Sequence, residues 1–262
     1  MQIWQAIVLG AVQGFAEFLP VSSSGHLILM QRWLGVTDGG LFFDVMLHGG
    51  TLIPVFIIFF KQIIMLFKKP YKKLGLLILA TVPAGGTGAF FSSRVESAFY
   101  SGNLLSACLL AVTFLLTATE LFLAEKFGKK RKDLLPLNVN SVTLMGVAQA
   151  IAIVPGLSRS GTVISAGVLS KLEKEENASF AFLMSIPIIL GAMFISGYKA
   201  VKGGATFEPL PIIFGVITSA TTGYIAINTM LKVIKKANYK WFSLYLVIMA
   251  GASIISKLAF GV

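Results

Sequence analysis

Gln13-Gly14-Phe15-Ala16-Glu17-Phe18-Leu19-Pro20-Val21-Ser22-Ser23-Ser24-Gly25-His26 breaks an otherwise apolar stretch near the N-terminus. A displacement of 136 residues lays Ser22-Ser23-Ser24-Gly25-His26 on Ser158-Arg159-Ser160-Gly161-Thr162 without a gap. The same displacement lays Gly10-Ala11-Val12-Gln13 on Gly146-Val147-Ala148-Gln149. The chain therefore contains two broken apolar segments, 1–41 and 139–170, related as a repeat. Both are interrupted by Pro, Gly and hydroxyl residues. Broken backbone at membrane depth is tolerated only where protein buries it or where it lines a wet cavity. These two segments are accordingly where function is expected.

The rest of the chain supplies the membrane. Of its 262 residues 56% are hydrophobic and 13% charged, about half the charged share of an ordinary soluble domain. Mean hydropathy is +0.83. Six unbroken apolar blocks, approximately 42–60, 74–91, 104–124, 179–198, 210–230 and 241–260, approach the roughly 20 residues a helix needs to cross hydrocarbon. This composition excludes a soluble enzyme, a disordered tail and a small secreted scaffold. Each broken segment is followed by three spans. Three is odd, so the second half must enter the membrane in the opposite sense to the first. The expected fold is an all-α polytopic membrane protein, a single integral membrane domain over 1–262. It is an inverted-topology repeat, each half a broken re-entrant helical hairpin plus three transmembrane helices. Repeat one covers about 1–125 and repeat two about 139–262. Within 139–170, two short spans would satisfy the crossing count as well as a hairpin.

Charge sets the direction. The formal net charge is +11, and three connectors hold 14 of the 22 basic residues. They carry Lys61, Lys68, Lys69, Lys72 and Lys73; Lys126, Lys129, Lys130, Arg131 and Lys132; and Lys232, Lys235, Lys236 and Lys240. Basic connectors between apolar blocks mark cytoplasmic loops. Segments 61–73, 125–138 and 231–240 are then inside, while 92–103, 199–209 and both termini are outside. A nucleic-acid footprint would need a basic soluble face, and none is available, so no nucleic-acid partner is expected. The one cysteine, Cys108, cannot form an internal disulfide. The N-terminus lacks a signal peptide's basic start and cleavage site and is read as mature protein. A homodimer is compatible with this architecture.

Ionisable groups within apolar segments are functional candidates. Glu17 is the only acid in the first 37 residues, and Gln13, four positions earlier, shares its helix face. A helix starting in the Ser run would offer backbone N–H groups and hydroxyls to an anion. His26 could exchange a proton near neutral pH. The plainer reading makes Ser22 a helix cap and His26 an interface residue, but Glu17, three serines and His26 within ten positions favour a site. In the second segment Arg159 stands between two hydroxyls, suited to bidentate phosphate binding. Its plainer reading is an arginine reaching for headgroups. Asp44 and His48, four apart, extend the site or face the outer interface. Glu120 is expected to pair with a basic loop residue, and Lys257 to lie at an interface. Walker loops, dinucleotide fingerprints, EF-hands and zinc clusters are absent from the sequence. One carboxylate among hydroxyls and phosphate oxygens suits a divalent cation, Mg²⁺ or Ca²⁺, with Glu17 as its protein ligand and substrate oxygens completing the shell.

Gln13 through His26 resembles the Glu/Gln-x-x-x-Glu motif and adjoining Ser-Gly-His stretch of bacterial undecaprenyl-diphosphate phosphatases of the bacitracin-resistance type. Pro155-Gly156-Leu157-Ser158-Arg159-Ser160 is similar to that family's second motif, and Phe43–Thr51 to a further stretch. The family pattern continues Ser-Arg-Ser-x-x-Thr, whereas here Thr162 comes one position early and Val163 takes the expected place. The resemblance implies hydrolysis of undecaprenyl diphosphate, a long-chain isoprenyl diphosphate, to the monophosphate and inorganic phosphate. This recycles the carrier of cell-wall polymer synthesis and implies bacitracin resistance. Location would be the plasma (inner) membrane, with the cleft open to the extracytoplasmic side. Expected catalytic residues are Glu17, Ser23, His26 and Arg159. Gln13, Ser22, Ser24, Gly25, Ser158, Ser160 and Thr162 would bind substrate. Ser23 is a nucleophile or a phosphate ligand, and His26 an acid/base or a nucleophile. Inverted repeats with broken helices also suit a secondary transporter or lipid flippase, or a carrier of a small anion with Arg159 and Glu17 as its sites. A transporter needs no nucleophile, so the grouping of Ser, His, Arg and Glu favours the enzyme.

Overall fold

Apolar runs of this length leave the backbone one economical way to satisfy its N–H and C=O groups, within helices. The computed structural model describes residues 1–36, 40–128, 133–202, 208–236 and 238–261, with the side chains of 40, 41, 89–96 and 201 left undescribed. Among these residues lie eleven helices and, besides them, one isolated β-bridge between Leu135 and Leu172. The helices are α1 (Ile3–Phe18), α2 (Ser23–Trp33), α3 (Gly40–Ile58), α4 (Phe60–Leu66), α5 (Lys72–Tyr100) and α6 (Leu104–Gly128) in the first half. The second half has α7 (Val139–Ile151), α8 (Arg159–Leu169), α9 (Lys174–Lys202), α10 (Pro209–Lys236) and α11 (Lys240–Phe260). The segments Leu104–Gly128, Lys174–Ala200, Pro209–Lys236 and Lys240–Phe260 are each long and apolar enough to cross a bilayer. At 29 residues α5 has the length as well. The chain is a multi-pass membrane protein.

The elements repeat as the sequence does. Helices α2 and α8 are both eleven residues long and start 136 positions apart, at Ser23 and Arg159. Helices α1 and α7 begin at Ile3 and Val139, and α6 and α11 at Leu104 and Lys240, with the same displacement. Packing interchanges the halves: α1 lies on α10 and α7 on α5, α3 lies on α10 and α9 on α5, and α6 meets α11. Glycine explains the first two pairs. A Cβ on Gly10 would sit 2.4 Å from the Gly215 carbonyl oxygen, and one on the corresponding Gly146 would sit 2.8 Å from that of Ala80. At 16 and 13 residues, α1 and α7 reach only about 24 and 20 Å, too short to cross alone. Each packs back on the helix that follows it, so both broken segments are hairpins.

Several boundaries differ from those the sequence suggests. The block 42–60 ends as a helix at Ile58, and the chain then bends by 84° into α4. Its counterpart α9 is one continuous helix through the corresponding positions. The segment 92–103, expected as an outer loop, is helical to Tyr100, and 231–240 is helical to Lys236. Polar residues end the apolar signal there without ending the helix. Lys129, Lys130, Arg131 and Lys132 lie outside the described residues, as do the side chains of Arg94 and Glu96.

Candidate active site

The two breaks meet. Helix α1 stops at Phe18, the chain turns through Leu19 in extended conformation, and Ser22 takes φ 70° and ψ 96°. A non-glycine residue held at positive φ is strained, and such strain persists only where neighbours enforce it. Here Ser22 caps α2, its Oγ accepting the Gly25 N–H at 3.3 Å. Ser158 repeats the device on α8, its Oγ accepting the Gly161 N–H at 3.1 Å. The Ser158 N–H donates to Thr117 Oγ1 at 3.1 Å. Gly156, at φ 88°, donates its N–H to Ser24 Oγ at 3.4 Å, and a Cβ there would collide with Thr113. Any Cβ on Gly25 would come within 2.9 Å of the Gly156 Cα. These close approaches bring the N-terminal residues Ser23 of α2 and Arg159 of α8 to one cavity of about 260 Å³, also lined by Ser24, Asp44, His48 and Gln149. Helix N-termini favour anions.

Glu17 is the hub. The Arg159 guanidinium pairs with its Oε1. Its Oε2 accepts from Ser23 Oγ at 2.8 Å and from Gln13 Nε2 at 2.9 Å. His48 Nδ1 lies 2.9 Å from the same oxygen and 2.7 Å from Gln13 Nε2. Gln13 and Glu17 are buried. Charge and counter-charge thus share a desolvated pocket with one hydroxyl aimed at the carboxylate. His48 extends this site, and Asp44, one turn earlier, lines the cavity while accepting from Gln31 at 2.6 Å and from the Tyr100 hydroxyl at 3.1 Å.

Other expected residues serve elsewhere. The His26 ring sits 2.8 Å from the Ser22 carbonyl oxygen through Nδ1 and 2.6 Å from the Tyr245 hydroxyl through Nε2. The carbonyl can only accept, so Nδ1 carries the proton and the Tyr245 O–H donates to Nε2. The ring stacks on Tyr245 and meets Phe114 edge-on. It faces an apolar groove lined by Phe15, Trp241 and Phe242, not the Glu17 cavity. Ser22 and Ser158 are caps, and Ser160 Oγ donates to the Leu19 carbonyl at 3.3 Å. Thr162 donates to Glu120 at 2.7 Å. This corrects the expectation that Glu120 pairs with a basic loop residue, and it puts Thr162 on Glu120 rather than among the cavity-lining residues. Tyr245 carried no sequence signal, standing 219 positions from His26.

A resident metal does not fit these residues. Both Glu17 oxygens are engaged by protein donors, and no group of three or more His, Cys, Asp or Glu able to hold an ion occurs among the described residues.

Comparison with known proteins places this arrangement. An undecaprenyl-diphosphatase of Carboxydothermus hydrogenoformans is 40% identical, with 99% of each chain covered. Proteins of the same name from Methanobrevibacter smithii and Trichlorobacter lovleyi are 41% and 37% identical, covering 94% and 100% of this chain and 94% and 99% of their own. The sequence model of the family described as bacitracin resistance protein BacA matches residues 6–252, a range that holds the whole second hairpin, all but the first residues of α1 in the first, and every residue of the Glu17 cluster. With relatives so similar along their full length, the chain belongs to the BacA bacitracin resistance family.

Proposed function

We propose that the chain hydrolyses undecaprenyl diphosphate to undecaprenyl phosphate and inorganic phosphate, returning the lipid carrier to cell-wall polymer synthesis and so conferring bacitracin resistance. The observation that carries this reading is the Ser23 hydroxyl donating to Glu17 at 2.8 Å while Arg159 holds the other carboxylate oxygen. That is a nucleophile beside its base, with a phosphate-binding fork alongside. A transporter would have no use for the hydroxyl–carboxylate pair, and the relatives are named for a diphosphatase.

In this mechanism the diphosphate draws Arg159 from Glu17, since phosphate oxygens offer the guanidinium a bidentate partner in place of the one carboxylate oxygen it holds. Glu17, freed of its counter-charge, takes the Ser23 proton as Oγ attacks the terminal phosphorus. The bond from that phosphorus to the bridging oxygen breaks, and undecaprenyl phosphate leaves while Arg159 holds the phosphoryl group now on Ser23. Glu17 passes the Ser23 proton to the departing lipid phosphate, takes one from the water that attacks the phosphoserine, and returns it to Ser23 Oγ as the bond from Oγ to phosphorus breaks and inorganic phosphate departs. Gln13 and His48 hold Glu17 in place throughout. His26 is a positioning residue: it pins the Ser22 carbonyl and with it the strained turn that aims Ser23. A divalent cation, Mg²⁺ or Ca²⁺, would arrive on the substrate oxygens.

The architecture supports an inverted repeat and an outward-facing cleft in the plasma membrane. Asp44 near the start of α3 and Tyr100 at the end of α5 line the cavity, and both lie at the ends of those helices remote from the basic 61–73 connector. Every residue of the Glu17 cluster comes from one chain, so a second copy is not required.

Phosphate release from a long-chain isoprenyl diphosphate by the purified protein in detergent, with and without chelator, tests the reading. Ser23→Ala, Glu17→Gln and Arg159→Ala should each lose activity by about 10²-fold or more while remaining folded. Absence of release by the wild-type protein under every divalent-ion condition would refute it.

A further inference from the structure

Gln149 occupies the position in α7 that Gln13 occupies in α1. The two amides are used differently. Gln13 spends its Nε2 on Glu17 and His48. Gln149 is only 2% exposed, and neither its Nε2 nor its Oε1 has a hydrogen-bond partner among the described residues. A buried amide with both ends unsatisfied costs stability that an apolar side chain of equal volume would not. Its surroundings give it no protein partner, but it lines the same cavity as Ser23, His48 and Arg159. Apolar residues, among them Ala152, Ile153, Pro155, Ile188 and Ile189, line much of the same cavity.

Resting on the function proposed above, we propose that Gln149 is a substrate-binding residue whose amide N–H groups donate to the phosphate that stays on the lipid, selecting diphosphate over monophosphate. A diphosphate has two phosphoryl groups. Ser23, Arg159 and the α2 and α8 N-termini serve the one being transferred, which must lie at Ser23 Oγ. The second needs its own donor, and Gln149 is the cavity-lining residue whose buried amide lacks a partner among the described residues. A neutral amide suits that place, since it satisfies phosphate oxygens without adding a second permanent charge that would retain the monophosphate product. The unpaired amide of the empty cavity is completed when the diphosphate is bound.

Gln149→Met is the direct test, because it keeps the volume and removes both polar atoms. The unfolding temperature in detergent should hold or rise. Affinity for a non-hydrolysable isoprenyl methylenediphosphonate should fall about ten- to hundredfold, the worth of a hydrogen bond to a charged group. Affinity for isoprenyl monophosphate, whose single phosphate takes the Arg159 position and leaves Gln149 without a partner, should change little, and in turnover the loss should appear in KM more than in kcat. Gln149→Glu, which sets a carboxylate against the phosphate, should weaken diphosphonate binding further and serves if the Met variant does not fold. Unchanged diphosphonate affinity in a folded variant would overturn the proposal, as it would mean that water alone satisfies the amide. Equal weakening of both ligands with a lowered unfolding temperature would also overturn it, by showing a packing role. The binding comparison needs no turnover. A wild-type protein that bound diphosphonate without hydrolysing diphosphate would defeat the proposed function and leave this test standing.

Discussion

His26 shows how far adjacency in sequence can mislead about adjacency in space. It stands three residues after Ser23 on the same helix, yet its ring lies against Tyr245 in the apolar groove and not among the residues that line the Glu17 cavity. There it holds the Ser22 carbonyl, and the strained φ of 70° is kept by that bond together with the cap to Gly25. Tyr245→Phe should therefore lower kcat several-fold, with KM and the pH profile of kcat/KM unchanged, since one neutral hydrogen bond is worth about 1 kcal/mol. A profile that lost its basic or acidic limb in that variant would instead make His26 a proton carrier. Thr162→Val should leave phosphate release near wild type, because its hydroxyl is spent on Glu120. Gln13 and Glu17 were legible from their four-residue spacing alone, and Arg159 from its place between hydroxyls. The meeting of Gln13 with His48, 35 positions apart, was not, because it depends on how α1 lies against α3.

Helices here owe their positions to small residues as much as to apolar ones. In an exposed helix Gly→Ala gains about 1 kcal/mol. At Gly10 and Gly146 the sign should reverse, because the added methyl meets the backbone of α10 or α5 well inside van der Waals distance. Gly10→Ala and Gly146→Ala are each expected to cost about 1–3 kcal/mol in reversible unfolding in mixed micelles. If either proved stabilising, the pairing of α1 with α10 or of α7 with α5 would be wrong. Apolar blocks located most of these elements, and the repeat predicted that α2 and α8 would correspond. Hydropathy ended 74–91 early, because a helix continues through polar residues that only its backbone bonds sustain. The bend at Ile58 had no signal either, since the second half continues as helix through the matching register.

At the scale of the whole molecule, the basic connectors predict a direction across the bilayer, and labelling tests it. With Cys108 replaced, a cysteine at Lys68 or Lys72 should react with an impermeant thiol reagent only in inverted or opened vesicles. One at Gly102, or a tag on either terminus, should react from outside. The opposite pattern would turn the cleft toward the cytoplasm. The displacement of 136 residues that relates α1 to α7 and α2 to α8 was plain in the sequence, whereas the interchange of packing partners required the folded chain. That interchange bears on how many reactions a chain can host. A two-fold arrangement of identical halves would duplicate whatever it contained. Yet the position of Ser23 is held in the other half by Arg159, and that of Glu17 by Ile153. The hydroxyl and its carboxylate come from one half and the guanidinium from the other. Two unmodified copies of either half could not assemble the set, so chemistry here depends on divergence between the halves, and each polypeptide carries one turnover centre instead of a mirrored pair.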